Sequence, residues 1–269
     1  MNRRLITCAA ALFSAAFAAA AHAQPATLRY AVGTGHFRLE SQQHVEQEMM
    51  GQSTKVDLTT AMLLTVAVDD AAGNLGVGIT VDSIEFTLPA GVPPEASSQL
   101  ASIKGTTLHL VTTPQGQPVS SMQADSVSPA TRQVTAGLRE FLPQLPRGSL
   151  AAGTTWSDTT TTAPQGQSGP TRHTTRQFRV VGWEDHQGAR ALHLAVTTAY
   201  TVTGSSEAQG QTIELSGGGQ GTADAFVSAS GLYLGGTAAD SSLVNASIVA
   251  AGMIIPVRTT THSTVTRLP

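Results

Sequence analysis

Alternating polar side chains in residues 42–48, QQHVEQE, are the part of the sequence best suited to bind a metal ion. On a β-strand alternate residues share a face, so Gln42, His44, Glu46 and Glu48 would project together. Imidazole and carboxylate groups are ligands for zinc and calcium. The same alternation is typical of the solvated face of an antiparallel sheet. Because no second His or Asp cluster completes a coordination shell, we expect a solvated face and no metal site.

Motifs for nucleophilic catalysis and for phosphate binding are missing from the sequence. Neither G-x-S-x-G nor S-x-x-K occurs, and the glycine-rich stretch at 216–224, SGGGQGTAD, has no Lys-Ser/Thr ending. We expect these glycines to let a long strand bend or bulge. The other histidines beyond the leader are scattered singly: His36, His109, His173, His186, His193 and His262. We therefore predict no catalytic residues and no cofactor; a hydrolase with a dispersed site is the less favoured alternative.

The first 23 residues have the pattern of a secretory signal peptide. Two arginines precede an apolar run from Leu5 to Ala21, and Ala21-His22-Ala23 forms a small-x-small cleavage site. Cys8, the only cysteine, lies inside this leader, and its position after only seven residues disfavours lipidation. We predict an exported protein, periplasmic or extracellular, comprising residues 24–269 with no transmembrane segment and no disulfide.

Charge disfavours a nucleic acid partner. Removal of the leader takes away Arg3 and Arg4, so 13 basic residues face 18 acidic ones and the formal net charge becomes −5. Only Lys55 and Lys104 are lysines, and no basic cluster is present. Because phosphate neutralisation supplies most of the affinity for nucleic acids, we expect none to bind.

Strand patterns dominate the rest of the chain. The segments LLTVAVDD, LGVGITVDSIEFTL, RQFRVVGW, ALHLAVTTAYTV and IIPVRTTTHSTVTRL are rich in β-branched residues and alternate with period two. Turn signals such as DDAAGN and EDHQGA separate such segments and favour antiparallel hairpins. We predict a mainly β fold, a large curved antiparallel sheet or incomplete barrel.

Two segments favour short helices that cover this sheet. Residues 93–105 open with proline and close with Gly105. Residues 129–142 follow the N-cap Ser128, and Val134, Leu138, Phe141 and Leu142 form an apolar stripe. The polar stretch at 159–170, TTTTAPQGQSGP, predicts a mobile loop or a seam between two halves.

An E-x-x-G-Q turn occurs twice, at 48–52 and at 207–211. Each copy is followed by a long strand pattern, a turn that contains glycine and another long strand pattern. We predict an internal duplication of a β meander, over about 28–125 and 154–269, joined by the helix at 129–142. Met49 and Met50 would then lie at a hairpin tip, packed on a neighbouring loop or, alternatively, forming an apolar lip on a cavity.

Two tryptophans, Trp156 and Trp183, are expected to anchor the core or a sheet edge rather than stack on a ligand.

Over residues 28–269 the sequence resembles a family of uncharacterised exported bacterial proteins, a domain of unknown function. The resemblance is carried by four segments: QEMMGQ, FLPQLPRGSLAAGTTWSDT, RVVGWE and IIPVRTTTHSTVTRLP. That resemblance implies a β-rich exported protein. A weaker analogy, at the level of fold pattern, is to periplasmic lipoprotein carriers, whose half-barrels enclose an apolar cavity.

These observations predict a non-catalytic binding protein of the cell envelope, with a hydrophobic small molecule or lipid in a β half-barrel. The sequence identifies no individual ligand-binding residues. The alternative is a structural or interaction module whose partner is another envelope protein. A cavity with an apolar lining favours the first and a filled interior the second.

Overall fold

The computed structural model describes residues 27–49, 51–87, 101–125, 137–163, 169–208 and 211–269. These residues form eleven β-strands. The strands are β1 (Gly33–Met49), β2 (Gln52–Ala71), β3 (Asn74–Thr87), β4 (Thr107–Thr112), β5 (Gln123–Ala124), β6 (Thr155–Thr162), β7 (Gly169–His186), β8 (Ala189–Ala208), β9 (Gln211–Ser228), β10 (Tyr233–Ile248) and β11 (Met253–Arg267). A three-residue 3-10 helix, Val249–Ala251, connects β10 to β11.

All eleven strands belong to one curved antiparallel sheet with the order β5-β4-β3-β2-β1-β11-β10-β9-β8-β7-β6. Neighbouring strands in the sheet are consecutive in sequence, except for β1 and β11. The pairing of β1 with β11 joins the amino-terminal strands to the carboxy-terminal ones. Strands β5 and β6 form the two edges, so the sheet is unclosed within the described residues. The prediction of a mainly β protein with a large curved antiparallel sheet is confirmed.

The predicted turns are tight hairpins. Strand β1 ends at Met49, which pairs with Gln52, and β8 ends at Ala208, which pairs with Gln211. Gly51 has a φ of 76°, a conformation that glycine adopts without steric cost. All five segments predicted as strands from β-branched residues form strands: two in β2 and β3, two in β7 and β8, and the last in β11. The exceptions are two terminal residues, Leu268, which follows β11, and Leu88, which lies outside the described residues.

The loop predicted at 159–170 is wrong at both ends. Residues 159–162 belong to β6 and residues 169–170 to β7, while 164–168 lie outside the described residues. Threonine has a high preference for strands, and each of these threonines has a partner on β7, from Thr159 opposite Thr175 to Thr162 opposite Arg172. The run of threonines contains no apolar residue, so it resembles a loop in composition although it forms the edge strand of the sheet.

The helix predicted at 129–142 has only its end in the described chain. Residues 137 and 138 are helical, and residues 139–142 form a turn and a bend. The amide of Phe141 donates to the carbonyl of Leu138, three residues back, which is a tighter turn than an α-helix allows. Residues 126–136, including Val134, and most of the shorter helix predicted at 93–105 lie outside the described residues, as do Met50 and the predicted leader at 1–23.

The hydrophobic core lies on one face of the sheet, here called the inner face. Alternate residues of β2 and β3, among them Leu64, Val66, Ile79 and Val81, are buried there. Phe37, Phe141 and Tyr233 form an aromatic cluster with ring centroids 5.1–5.8 Å apart, which attaches the segment 137–150 to the sheet. No helix among the described residues is long and apolar enough to cross a membrane.

Candidate functional site

A cavity of about 580 Å³ lies between the inner face and residues 137–144. Its volume falls within the range of about 300–1,000 Å³ that is usual for small-molecule sites. Leu110 lines it at the β4 side and Phe178 at the β7 side, so the cavity extends across most of the sheet. The described residues therefore leave an open cavity on the inner face.

Strand register sorts the inner face into rows that change from apolar to polar along the strands. One row, the apolar row, comprises Leu39, Val265, Gly236, Ala225, Leu194 and Val180. Four residues further along the strands, the polar row comprises Gln43, Thr261, Asp240, Gly221, Thr198 and Arg176. Ala238 and Phe178 belong to the row between them. The cavity thus has an apolar end and a polar end.

Arg176 is the most deeply placed charge of the polar row, with a side chain only 9% exposed. Its Nη1 lies 2.6 Å from Glu140 Oε1, and its Nη2 lies 3.1 Å from Asp158 Oδ2 and 3.2 Å from Thr160 Oγ1. A buried guanidinium requires such partners, since an unpaired charge away from water is costly. Its Nε has no hydrogen-bond partner in the described structure.

Tyr200 lies flat across β9 because the residue beneath it is glycine. A Cβ on Gly219 would come within 2.5 Å of the Tyr200 ring. The Tyr200 hydroxyl donates to Asp240 Oδ1 at 2.8 Å. Burial of the phenol, together with this hydrogen bond to a carboxylate, raises the pKa of Tyr200.

The guanidinium of Arg172 stacks on the other face of the Tyr200 ring. Its Cζ lies 3.6 Å from the ring centroid, within the range of a cation–π interaction. Arg172 lies on the same face of β7 as Arg176, four residues before it in sequence. Its partner on β6 is Thr162. Arg139, from the segment over the cavity, donates to Thr162 Oγ1 at 3.1 Å. Two cations therefore meet at this corner of the polar end.

The segment over the cavity is held by polar contacts at both sides. Tyr30 donates its hydroxyl to the Pro143 carbonyl at 2.6 Å, and Gln144 donates to Asp158 Oδ2 at 2.9 Å. Arg147 donates to the side chain of Gln117. Burial raises the pKa of Tyr30 well above its ordinary value. The position of residues 137–147 over the sheet is thus defined by residues from three parts of the chain.

The residues considered as metal ligands lie on the outer face of the sheet, away from the cavity. His44 Nδ1 lies 2.7 Å from Asp57 Oδ1, and Glu46 binds Lys55 at 3.2 Å. Hydrogen bonds from Lys55 and Ser53 hold the pKa of Glu46 below its ordinary value. Gln42 and Glu48 are exposed. No group of three or more metal-binding side chains is found among the described residues.

Most of the remaining histidines also form cross-strand pairs on the outer face. His193 binds Asp224 at 2.7 Å, and His109 binds Asp125 at 3.0 Å. His186 stacks on Phe226 with centroids 3.8 Å apart, and burial lowers the pKa of this imidazole. None of these three imidazoles lines the cavity.

The two tryptophans predicted as anchors pack against the core, whereas Met49, considered as part of an apolar lip, lies away from the cavity. Trp156 stacks on Phe178 with centroids 5.1 Å apart, and Trp183 packs on the core from β7. Met49 is 51% exposed at its hairpin tip and is not among the described residues that line the cavity. The structure thus gives Met49 no role as a lip.

Sequence reasoning missed the polar row and the two inward-facing arginines of β7. The signal was present in β7, where Arg172, Thr174, Arg176, Phe178 and Val180 alternate and must share a face. Phe178 and Val180 are apolar, so this face of β7 is expected to be the inner one. Both arginines then lie on the inner face as well. The usual preference of arginine for the surface hid this consequence.

No protein-family model matches the chain, and a search of curated proteins finds no match. The resemblance to exported bacterial proteins stays a prediction.

Proposed function

We propose that the protein is a non-catalytic exported protein that binds a hydrophobic ligand or lipid inside an incomplete β-barrel in the cell envelope. The cavity of about 580 Å³ carries this proposal, because Leu39, Ile79, Leu138 and Val265 line it with apolar surface. A protein whose only task was to present its outer surface would gain stability by filling that volume. Export rests on the pattern of residues 1–23.

Strand bounds support the finer proposal that two duplicated meanders build the sheet. Strands β1 and β8 end at Met49 and Ala208, β2 and β9 begin at Gln52 and Gln211, and β3 and β10 begin at Asn74 and Tyr233. Each of these three pairs is separated by 159 positions (49 to 208, 52 to 211 and 74 to 233). We further propose that the predicted segments 93–105 and 129–142 cover the inner face, with the helix of the second segment ending at Leu138 and that of the first before Ser102.

The alternative function is a structural or interaction module of the envelope. It is favoured by apolar side chains near the β10–β11 hairpin, where Ile254 is 67% exposed and Leu243 is 44% exposed. Exposed apolar groups of this kind occur at protein interfaces. A hydrolase gains less support, since Glu140 and Asp240 bind Arg176 and Tyr200. Asp224, which also borders the cavity, binds His193 on the outer face of the sheet.

A cavity-filling substitution tests ligand binding. Ala238 is exposed on the inner face between the apolar and polar rows, so Ala238→Phe would occupy the cavity with a phenyl ring. Ala199→Phe is the matched control, because Ala199 is exposed on the outer face of β8. We expect Ala238→Phe to weaken binding of a hydrophobic fluorophore at least tenfold, measured by titration.

The control variant should bind the fluorophore as the unaltered protein does. Equal binding by all three proteins would mean that the fluorophore does not use this cavity. No binding by any of them would favour the interaction module.

A further inference from the structure

Two arginines at the polar end of the cavity have no carboxylate partner among the described residues. Arg176 is bound by Glu140 and Asp158. Among the described residues, the side chain of Arg139 donates to Thr162, and the guanidinium of Arg172 stacks on the ring of Tyr200. The cavity lining carries three arginines and three carboxylates, so its formal charges balance. Glu140 binds Arg176, Asp240 accepts from Tyr200 and Asp224 binds His193. No ion pair among the described residues therefore engages the guanidiniums of Arg139 and Arg172, which leaves them for another partner.

Thr162 brings these two arginines to one corner. Arg139 donates to its hydroxyl, and Arg172 is its direct partner across β6 and β7. Directly opposed residues of an antiparallel pair have Cβ atoms about 4.5–5.5 Å apart. Both arginines also line the cavity. Two like charges at one corner repel each other, and an anion bound between them would relieve that repulsion.

Two segments that adjoin this corner in sequence, 126–136 and 164–168, lie outside the described residues. Neither contains Asp or Glu.

Arg172 is positioned in advance for planar recognition. The Tyr200 ring supports one face of its guanidinium, and Tyr200 is itself fixed by its bond to Asp240 and by contact with Gly219. Stacking leaves the N–H groups at the edge of the guanidinium free to donate. Their fork geometry matches a carboxylate or a phosphate, which can accept two parallel hydrogen bonds.

We propose that Arg139 and Arg172 bind the anionic headgroup, a carboxylate or phosphate, of an amphiphile whose hydrocarbon chain lies toward the apolar row. This inference rests on the proposed function and specifies its ligand class. The polar row separates the headgroup corner from the apolar end, so one molecule with a charged head and an apolar tail complements both.

Titrations with matched ligands test the proposal on the full mature chain. The probes are palmitate, hexadecyl phosphate and hexadecanol, together with acetate and inorganic phosphate, which have no chain. The variants are Arg172→Gln, Arg139→Gln and the control Arg179→Gln on the outer face of β7. We expect the unaltered protein to bind at least one anionic amphiphile about tenfold more tightly than hexadecanol. Each inner variant should lose about that factor for the anionic probe alone.

The outcomes separate this inference from the proposed function. Equal affinity for anionic amphiphiles and hexadecanol, unchanged by Arg172→Gln, would overturn the headgroup site and leave hydrophobic binding intact. Acetate or phosphate binding as tightly as the amphiphiles would show a free-anion site and overturn the inference. Absence of binding by every amphiphile would overturn the proposed function as well. Preference for palmitate or for hexadecyl phosphate would identify the headgroup.

Discussion

Buried tyrosine hydroxyls make the stability of this protein sensitive to alkaline pH. Burial raises the pKa of Tyr233 above its ordinary value, and Tyr30 is shifted in the same direction. The unfolded chain releases these phenolic protons near pH 10, whereas the folded chain retains them. Below pH 10 the contribution of these tyrosines to the free energy of unfolding does not change with pH. Above pH 10 the free energy of unfolding falls by about 1.4 kcal/mol per pH unit for each such tyrosine.

Replacement of Tyr233 by phenylalanine should remove one of the two buried phenol groups whose titration lowers the stability at alkaline pH. We expect the free energy of unfolding of Tyr233→Phe to fall less steeply above pH 10, by about 1.4 kcal/mol per pH unit. Urea denaturation at pH 7, 9, 10 and 11 measures the slope. An unchanged slope would mean that the Tyr233 hydroxyl is accessible to solvent in the folded protein.

At the scale of elements, the glycines of β9 set how closely neighbouring strands and side chains approach. The register of β9 with β8 and with β10 is continuous through residues 216–221, so these glycines make no bulge. They give space instead: a Cβ on Gly219 would lie 2.5 Å from the Tyr200 ring and 2.6 Å from the Ser241 carbonyl oxygen. The conformation of Tyr200, and through it that of Arg172, depends on this glycine.

A methyl group at this position should therefore destabilise the protein. We expect Gly219→Ala to lower the free energy of unfolding by about 1–3 kcal/mol, because the Ser241 carbonyl belongs to the backbone and gives way little. Gly148→Ala is the control, since its added Cβ would meet nothing within 4 Å. Chemical denaturation compares the two variants, and equal stability would contradict the close approach at Gly219.

Period-two patterns predicted the strands well because β-branched residues and side-chain alternation both act locally. Glycine predicted the E-x-x-G-Q hairpins for the same reason, as Gly51 requires a positive φ. The pairing of β1 with β11 joins residues more than 200 positions apart, and no local pattern indicates it. The four threonines at the end of β6 show no apolar alternation, so the sequence pattern does not distinguish this part of the strand from a loop.

The candidate site could be predicted only in outline. The sequence left open whether the interior is hollow, and the apolar stripe that includes Leu138 indicated only that residues 129–142 pack on the sheet. The contacts at its polar end join β6, β7, β8 and β10 with residues 139–144, so they depend on register across the sheet. Asp240 and Tyr200, for example, are 40 positions apart in sequence and meet only because β9 lies between their strands.

At the scale of the molecule, eleven strands form an open sheet with its core at one end and a cavity beneath residues 137–144. Antiparallel strands of up to 20 residues give each inner-face row a long span, and the change from apolar to polar rows gives the cavity two chemically different ends. Such an interior fits a ligand that is itself amphipathic. The proposed binding function and the proposed headgroup site both follow from this arrangement.

The most direct test of the central claim is native mass spectrometry of the protein purified from the periplasm of an expression host. We predict a polypeptide that begins at Gln24 and carries a lipid or other hydrophobic molecule, released on denaturation and reduced in Ala238→Phe. A mass equal to that of the bare chain, together with no uptake of added amphiphiles, would contradict the claim and favour an envelope interaction module.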